Sequence, residues 1–164
     1  MKKLASLILP INILVCVGAI AVIIFTIAFL GWKPCPMCLL QQFCVIIILF
    51  LSILGVIKKS PSSFHIVVKT FVILAILYGI YIAGDQVYIQ YFQAIPIHGT
   101  IASCDISSPF LIQATKSITG SVQSCTSISE EVKGVSLAIY SLVFFIFMLL
   151  INTSALFVNI LKKK

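Results

Sequence analysis

The sequence predicts an all-α membrane protein, a four-transmembrane-helix bundle with a long extracytoplasmic loop that carries a short surface helix. The chain is 61% hydrophobic and only 9% charged, whereas soluble domains carry about 25% charged residues. Four apolar stretches are each close to the roughly 17 to 25 residues that a helix needs to cross a bilayer. These stretches are residues 11–30, 39–57, 70–88 and 135–158. Because lipid leaves no partner for unpaired backbone amides, we expect them to be helices.

The first stretch resembles a secretory signal, since it follows two lysines and contains Ala19 and Ala21 at the spacing of a cleavage site. Its apolar run after Pro10 is about 20 residues long, longer than the roughly 7 to 15 residues of a signal core. We therefore expect an uncleaved first span.

The lysines predict the orientation. If the helices alternate in direction, eight lysines fall on one side and three on the other. The eight are Lys2, Lys3, Lys58, Lys59, Lys69, Lys162, Lys163 and Lys164; the three are Lys33, Lys116 and Lys133. The positive-inside rule then places both termini of this multi-pass protein in the cytoplasm. The net charge of +7 therefore reflects contact with membrane lipid and does not indicate nucleic-acid binding.

Two segments lie outside the membrane on this topology, a turn at 31–38 and a long loop at 89–133. The cytoplasmic loop, 58–69, has a turn composition and no catalytic set. In the long loop, the apolar residues Phe110, Leu111, Ala114 and Ile118 recur at helical spacing, which favours a short helix on the membrane surface. We find no repeat and expect a single domain over residues 1–164.

Four of the six cysteines fall in the outer segments, Cys35 and Cys38 in the first and Cys104 and Cys125 in the second. The other two lie inside spans, where a free cysteine behaves as a small apolar side chain. A pair in each segment that faces an oxidising compartment is the arrangement that disulfide chemistry requires. The four outer cysteines are therefore the candidate catalytic residues.

The sequence Cys35-Pro36-Met37-Cys38 stands where an apolar helix begins. A thiolate there faces unpaired backbone N–H groups and the positive end of the helix dipole, which lower its pKa. Pro36 suits the first helical turn because its missing N–H has no partner to lose. The motif predicts an exchangeable disulfide at the membrane surface; taken alone it also fits a structural disulfide or half of a metal site.

A metal site needs further ligands. Met37 could bind Cu(I) together with the two thiolates, and His98 is the one histidine of the outer segments. No second CxxC and no histidine pair at zinc spacing is present, and an oxidising compartment would remove the thiols as disulfides. We expect no metal.

The second pair, Cys104 and Cys125, encloses a polar loop. A bridge there could staple the loop, with a stabilisation of about 3 kcal/mol. It could also present its cysteines to a partner and then to the first pair, so that two disulfides act in series.

With these features the sequence resembles the disulfide bond formation protein B family, DsbB, whose members are quinone-linked oxidases that recharge a soluble DsbA-type thiol oxidase. The shared features are the four spans, the CxxC at the start of the second span, Gly84 and Gln86 at the outer end of the third, Cys104-Asp105 in the loop, and Gly134-Val135-Ser136-Leu137, which is similar to the family's Gly-Leu-Ser-Met motif.

The resemblance implies a role for each outer cysteine. Cys104 would form the mixed disulfide with a soluble periplasmic DsbA-like oxidase of the thioredoxin fold, and Cys125 would be its bridge mate. Cys125 would then attack Cys35. Cys38, released as a thiolate, would pass electrons to ubiquinone or menaquinone, which carries out the two-electron chemistry while the protein supplies position and electrostatics.

The sequence departs from the family at Gln42, where the family usually has an arginine. The chain contains no arginine, so Gln42 offers a neutral hydrogen bond where a delocalised cation is expected. Lys33, two residues before Cys35, could supply the charge or could serve as a membrane-interface anchor. Gln42 and Lys33 are the candidate quinone-binding residues.

Three other interpretations remain. A vitamin K epoxide reductase-like enzyme shares the helices, the CxxC and the quinone, but that family places its loop pair before its CxxC. A copper-handling membrane protein would use Cys35, Met37 and Cys38. An inert membrane protein with two structural disulfides would exchange thiols with no soluble partner.

Overall fold

A computed structural model describes residues 2–31, 35–57, 62–92, 113, 116–117, 131–132 and 135–161. Within these ranges lie four helices, α1 (Lys2–Leu30), α2 (Pro36–Ile57), α3 (Ser62–Phe92) and α4 (Leu137–Leu161). Each contains a stretch that is long and apolar enough to cross a membrane: Ile8–Phe29, Pro36–Ile57, Phe64–Phe92 and Leu137–Ser154. The prediction of a four-helix membrane bundle is confirmed.

Two helices each extend beyond their predicted bounds by eight or more residues in total. Helix α1 begins at Lys2 and continues through Pro10, which stands inside it. Helix α3 begins at Ser62 and ends at Phe92, so it extends beyond the predicted 70–88 at both ends. Membrane helices accept such a proline because neighbouring groups satisfy the freed carbonyl.

The longer α3 corrects the assignment of Lys69. We predicted this lysine in the cytoplasmic loop, whereas it lies within α3 and is only 4% exposed. Hydropathy alone ends a span at the first charged residue, but a lysine can remain helical when its apolar stem packs along neighbouring helices.

The start of the fourth span is also corrected. Val135 and Ser136, predicted as helix, form a short strand, β2 (Val135–Ser136), which pairs antiparallel with β1 (Glu131–Val132). Helix α4 begins at the next residue, Leu137. A brief apolar run with a β-branched residue fits a strand or a helix equally well by periodicity.

The helices form a ring in which α1 packs against α2 and α4, and α3 packs against the same two helices. The buried core contains side chains from all four: Leu9, Cys16, Cys44, Ile48, Val72, Ile76, Phe145 and Met148 are among them. Large apolar side chains such as Leu14, Phe50 and Tyr81 are exposed on the outer surface, which suits contact with lipid. The two cysteines inside spans, Cys16 and Cys44, thus pack as small apolar residues.

The predicted surface helix of the long loop is described at three positions. Gln113, Lys116 and Ser117 have helical backbone, and the Ser117 hydroxyl donates to the Gln113 carbonyl at 2.9 Å. These contacts are those of a helical turn; the rest of the predicted surface helix lies outside the described residues.

Candidate dithiol site

The turn between α1 and α2 begins with a glycine in the left-handed region. Gly31 follows the last residue of α1 and has φ +64°, a conformation that favours glycine because it has no Cβ. Helix α1 therefore stops cleanly before the segment that leads to the first cysteine pair.

Cys35 caps the N-terminus of α2. Its carbonyl accepts the backbone N–H of Leu39 at 3.1 Å, and its Sγ accepts the backbone N–H of Cys38 at 3.2 Å. These are the bonds of an N-cap residue, with sulfur in the place of the usual oxygen. Pro36 occupies the first helical position, as predicted, where its missing N–H costs nothing. The spacing of the CxxC thus directs an amide hydrogen at the first sulfur.

The two cysteines of this pair are present as thiols and lie against α3. Cys35 is 6% exposed and Cys38 is partly buried. Both contact Gln86, whose Nε2 lies 3.3 Å from Cys35 Sγ and 3.4 Å from Cys38 Sγ. The predicted pair at the membrane surface is therefore enclosed by the neighbouring helix.

A second glutamine completes the network. Gln41, one helical turn after Cys38, donates its Nε2 hydrogen to Gln86 Oε1 at 2.8 Å. The same oxygen lies 3.9 Å from Cys38 Sγ. Gln41 and Gln86 are 6% and 2% exposed, so buried amides satisfy each other and the sulfurs, as polar groups inside a membrane protein must.

The pKa of the Cys35 thiol is raised above its ordinary value in this reduced pair. The largest cause is its hydrogen bond with the Cys38 side chain, and burial of the sulfur adds to it. The backbone N–H groups of Cys38 and Met37 act in the opposite direction. We predicted that the helix N-terminus lowers the pKa of this thiol. Its backbone N–H groups do act in that direction, but the hydrogen bond with Cys38 and burial raise the pKa by more, so Cys35 keeps its proton while the pair is reduced.

A cavity of about 330 Å³ adjoins this pair on the side away from α3. Its walls come from α1, α2 and α4, and its polar lining includes Cys38, Gln41, Gln42, Tyr140 and Ser141. The remaining walls are mostly apolar side chains of α1 and α4. Cys38 thus belongs both to the dithiol pair and to the cavity.

Some of these residues were predicted from the sequence and others were not. Gln42 lines the cavity beside Cys38, and its role in quinone binding stays a prediction. Lys33, Cys104 and Cys125 lie outside the described residues. Gln86 was noted only as part of a family motif, and Gln41 was given no role.

Among the residues that the structure describes, no three His, Cys, Asp or Glu side chains come together as a metal-binding group. Met37, the third ligand of the copper interpretation, is 1% exposed and belongs to the apolar core.

A buried cysteine pair at the start of a membrane helix, beside a cavity between helices, defines a membrane dithiol protein. The sequence profile described as "Disulfide bond formation protein DsbB" matches residues 5–155. The chain belongs to the DsbB family.

Two curated relatives carry the name "Disulfide bond formation protein B 1". The protein from Pseudomonas fluorescens strain Pf-5 is 28% identical over 82 residues, which cover 50% of this chain and 48% of the relative. The protein from strain Pf0-1 is 27% identical over 82 residues with the same coverage. The chain thus spans about half the length of the curated relatives it matches. No solved structure matches it.

Proposed function

We propose that this chain is a membrane disulfide oxidoreductase that reoxidises a soluble DsbA-like oxidase and passes the electrons to a membrane quinone. The proposal rests on the location of Cys38. Its sulfur is within hydrogen-bonding distance of the Gln86 amide, and the same residue lines the cavity. A thiol at that point can exchange with a neighbouring disulfide and face a bound acceptor.

The cavity fits a quinone head group. Ligand sites are usually clefts of about 300 to 1,000 Å³ with mostly apolar walls and a few polar groups, and this cavity measures about 330 Å³. Gln42 and Gln41 would hold a quinone carbonyl through amide N–H groups, and the apolar side chains of α1 and α4 would pack against the ring. When bound, the quinone would supply the chemistry of accepting two electrons and two protons as the dithiol closes to a disulfide.

The remaining steps are thiol–disulfide exchange, in which each attack forms one S–S bond and breaks another. Following the family resemblance, Cys104 exchanges with the partner's reduced pair and Cys125 attacks Cys35, so that Cys38 leaves as a thiolate. The N–H groups of Cys38 and Gln86 that point at these sulfurs stabilise the negative charge that develops on them.

The proposed orientation rests on the lysines. Without Lys69, which lies in α3, seven lysines remain on the predicted cytoplasmic side against three outside. We place the chain in the bacterial inner membrane with both termini in the cytoplasm. Reduced intact cells should label at Cys104 or Cys125 with an impermeant thiol reagent; labelling that appears only after lysis would reverse the orientation.

The function is tested by mixing the oxidised protein anaerobically with a reduced DsbA-type partner and a soluble quinone, and following quinol formation. Gly18 lines the cavity, and a Cβ added there meets no atom within 4 Å. The backbone at this position therefore accepts a side chain, and we expect the ring of Gly18→Phe to occupy the cavity and abolish quinol formation.

The matched control is Val17→Phe, since Val17 is 51% exposed and faces away from the cavity lining. It should leave quinol formation at the native rate. Equal activity of the native protein and Gly18→Phe would show that the acceptor does not use this cavity, and no quinol from any variant would refute the quinone-linked activity.

The order of exchange has its own test. Cys125→Ser should accumulate a mixed disulfide between Cys104 and the partner, because the resolving thiol is gone. Mass spectrometry would identify the linked peptides. A species joined through Cys35 would show that the partner bypasses the loop.

A further inference from the structure

The side-chain amide of Gln86 contacts both sulfurs of the Cys35–Cys38 pair. Its single Nε2 atom lies within hydrogen-bonding distance of both sulfurs, at 3.3 Å from Cys35 and 3.4 Å from Cys38. An amide NH₂ carries two hydrogens and can donate one to each acceptor. Gln86 is thus able to bridge the pair from α3, the helix opposite the cavity.

The orientation of this amide follows from its partners. Gln86 Oε1 accepts from Gln41 Nε2 at 2.8 Å and lies 3.9 Å from Cys38 Sγ, whereas Gln86 Nε2 lies closer to the sulfurs, at 3.3 Å from Cys35 and 3.4 Å from Cys38. A thiolate accepts hydrogen bonds and has none to donate, so the opposite orientation would set an oxygen lone pair against negative charge. Gln41 therefore fixes the NH₂ end of Gln86 on the sulfurs.

We propose that Gln86 tunes the redox equilibrium of the Cys35–Cys38 pair by donating to both sulfurs, and that Gln41 is the positioning residue that orients it. Hydrogen bonds to sulfur are stronger for a thiolate than for the weakly accepting sulfurs of a disulfide. Gln86 therefore stabilises the reduced form of the pair, which makes the Cys35–Cys38 disulfide a stronger oxidant.

This inference rests on the proposed function, because an oxidising pair draws electrons from the loop cysteines. The family usually has a cation at the position of Gln42, and in this chain the neutral amide of Gln86 would take over its stabilising role. Gln86 acts from α3, whereas Gln42 lies on the cavity side of α2. Gln86 and its positioning residue Gln41 are both buried.

The test is the equilibrium of the full chain with glutathione in detergent without quinone, in a Cys104→Ser/Cys125→Ser background. Two glutathione molecules reduce the Cys35–Cys38 disulfide to the dithiol and become glutathione disulfide, and alkylation with mass spectrometry counts the thiols. Gln86→Met keeps the length of the side chain and removes both donors. We expect its equilibrium to shift about tenfold towards the disulfide, or roughly 30 mV for a two-electron couple.

Gln41→Met should shift the same equilibrium in the same direction by a smaller factor, since Gln86 keeps its donors but loses its orientation. Gln90→Met is the matched control, because Gln90 lies one turn further along α3, is 6% exposed and makes no described contact with either sulfur. It should titrate like the native pair.

A Gln86→Met equilibrium within twofold of native, or an equal shift in Gln90→Met, would overturn the proposal. If Gln86→Met does not fold, Gln41→Met decides: a shift towards the disulfide supports the proposal and no shift refutes it. Since neither quinone nor partner is present, a failure of the quinone-linked activity leaves this measurement intact, and the two failures are distinguishable.

Discussion

Asn12 and Asn152 exchange two side-chain hydrogen bonds across the interface of α1 and α4. Asn12 Nδ2 donates to Asn152 Oδ1 at 2.8 Å, and Asn152 Nδ2 donates back to Asn12 Oδ1 at 3.1 Å. Both residues are buried, at 0% and 2% exposed. On each helix this pair lies beyond the residues that line the cavity, at the end away from Cys38. It fastens the two helices that form the apolar walls of the proposed quinone site.

We predict that Asn12→Leu and Asn152→Leu each lower the free energy of unfolding by about 1 to 3 kcal/mol, because each leaves a buried amide without its partner. The double variant should lose less than the sum, since it removes both polar groups. Unfolding in mixed detergent micelles would measure the coupling. Strictly additive losses would show that the pair contributes nothing jointly.

Gly79 and Phe145 give a second prediction. A Cβ added at Gly79 would lie 2.6 Å from Phe145 Cε1, and Phe145 also lines the cavity. Gly79→Ala must therefore displace the ring, and such overpacking costs about 1 to 3 kcal/mol. We expect lower stability and a higher quinone Michaelis constant.

Gly84→Ala is the control for this change, since Gly84 is on the same helix and an added Cβ there meets nothing within 4 Å. The double variant Gly79→Ala/Phe145→Leu should regain stability because the smaller side chain yields the space. If Gly79→Ala is as stable as the native protein, the close packing of Phe145 on α3 is wrong.

Gln42 carries the third prediction, because it lines the cavity together with Cys38. A positive charge about 4 Å from a developing anion is worth roughly 1 kcal/mol in water and about 4 kcal/mol at an effective dielectric near 20. Gln42→Arg should therefore lower the quinone Michaelis constant by about tenfold, which corresponds to roughly 1.4 kcal/mol. Gln42→Met, which adds no charge, should not lower it, and steady-state quinone reduction compares the two.

Lys33 is the residue that could supply a charge to the native protein. Lys33→Ala should raise the quinone Michaelis constant and leave disulfide exchange with the soluble partner intact. If neither Gln42→Arg nor Lys33→Ala alters quinone kinetics, charge has no part in binding and packing alone holds the quinone.

The raised pKa of Cys35 predicts how the stability of the reduced protein depends on pH. An unfolded cysteine loses its proton near pH 8.5, whereas the folded protein retains it through the hydrogen bond with Cys38 and through burial. Above that pH the unfolded chain binds fewer protons than the folded one, so the free energy of unfolding should fall by up to about 1.4 kcal/mol per pH unit. The contribution is fully present below pH 8.5.

Urea titrations of the reduced protein between pH 7 and pH 10 would measure this slope. Cys35→Ser should lower the slope because one titrating thiol is absent, and Cys38→Ala should lower it because the largest cause of the shift is removed. An unchanged slope in Cys35→Ser would assign the pH dependence to another group.

The sequence by itself determined the four spans and the position of the CxxC. A membrane helix satisfies its own backbone, so length and hydropathy, which are local properties, are sufficient to locate it. The start of α2 also depends on nearby residues alone, because Pro36 favours the first helical position and Cys35, just before it, caps the helix N-terminus. The same local rules gave the wrong structure at Lys69 and Val135. Lys69 is charged but stays in α3 because it packs among neighbouring helices, and Val135 is part of a strand because it pairs with Val132.

Only the tertiary structure decided which polar side chains meet. Gln41 and Gln86 are 45 positions apart, and Asn12 and Asn152 are 140 apart. Hydropathy records each of them as one polar residue in an apolar stretch and contains no term for its partner. Their pairing depends on how α3 approaches α2 and how α1 approaches α4, and the cavity beside Cys38 is the space that this packing leaves unfilled.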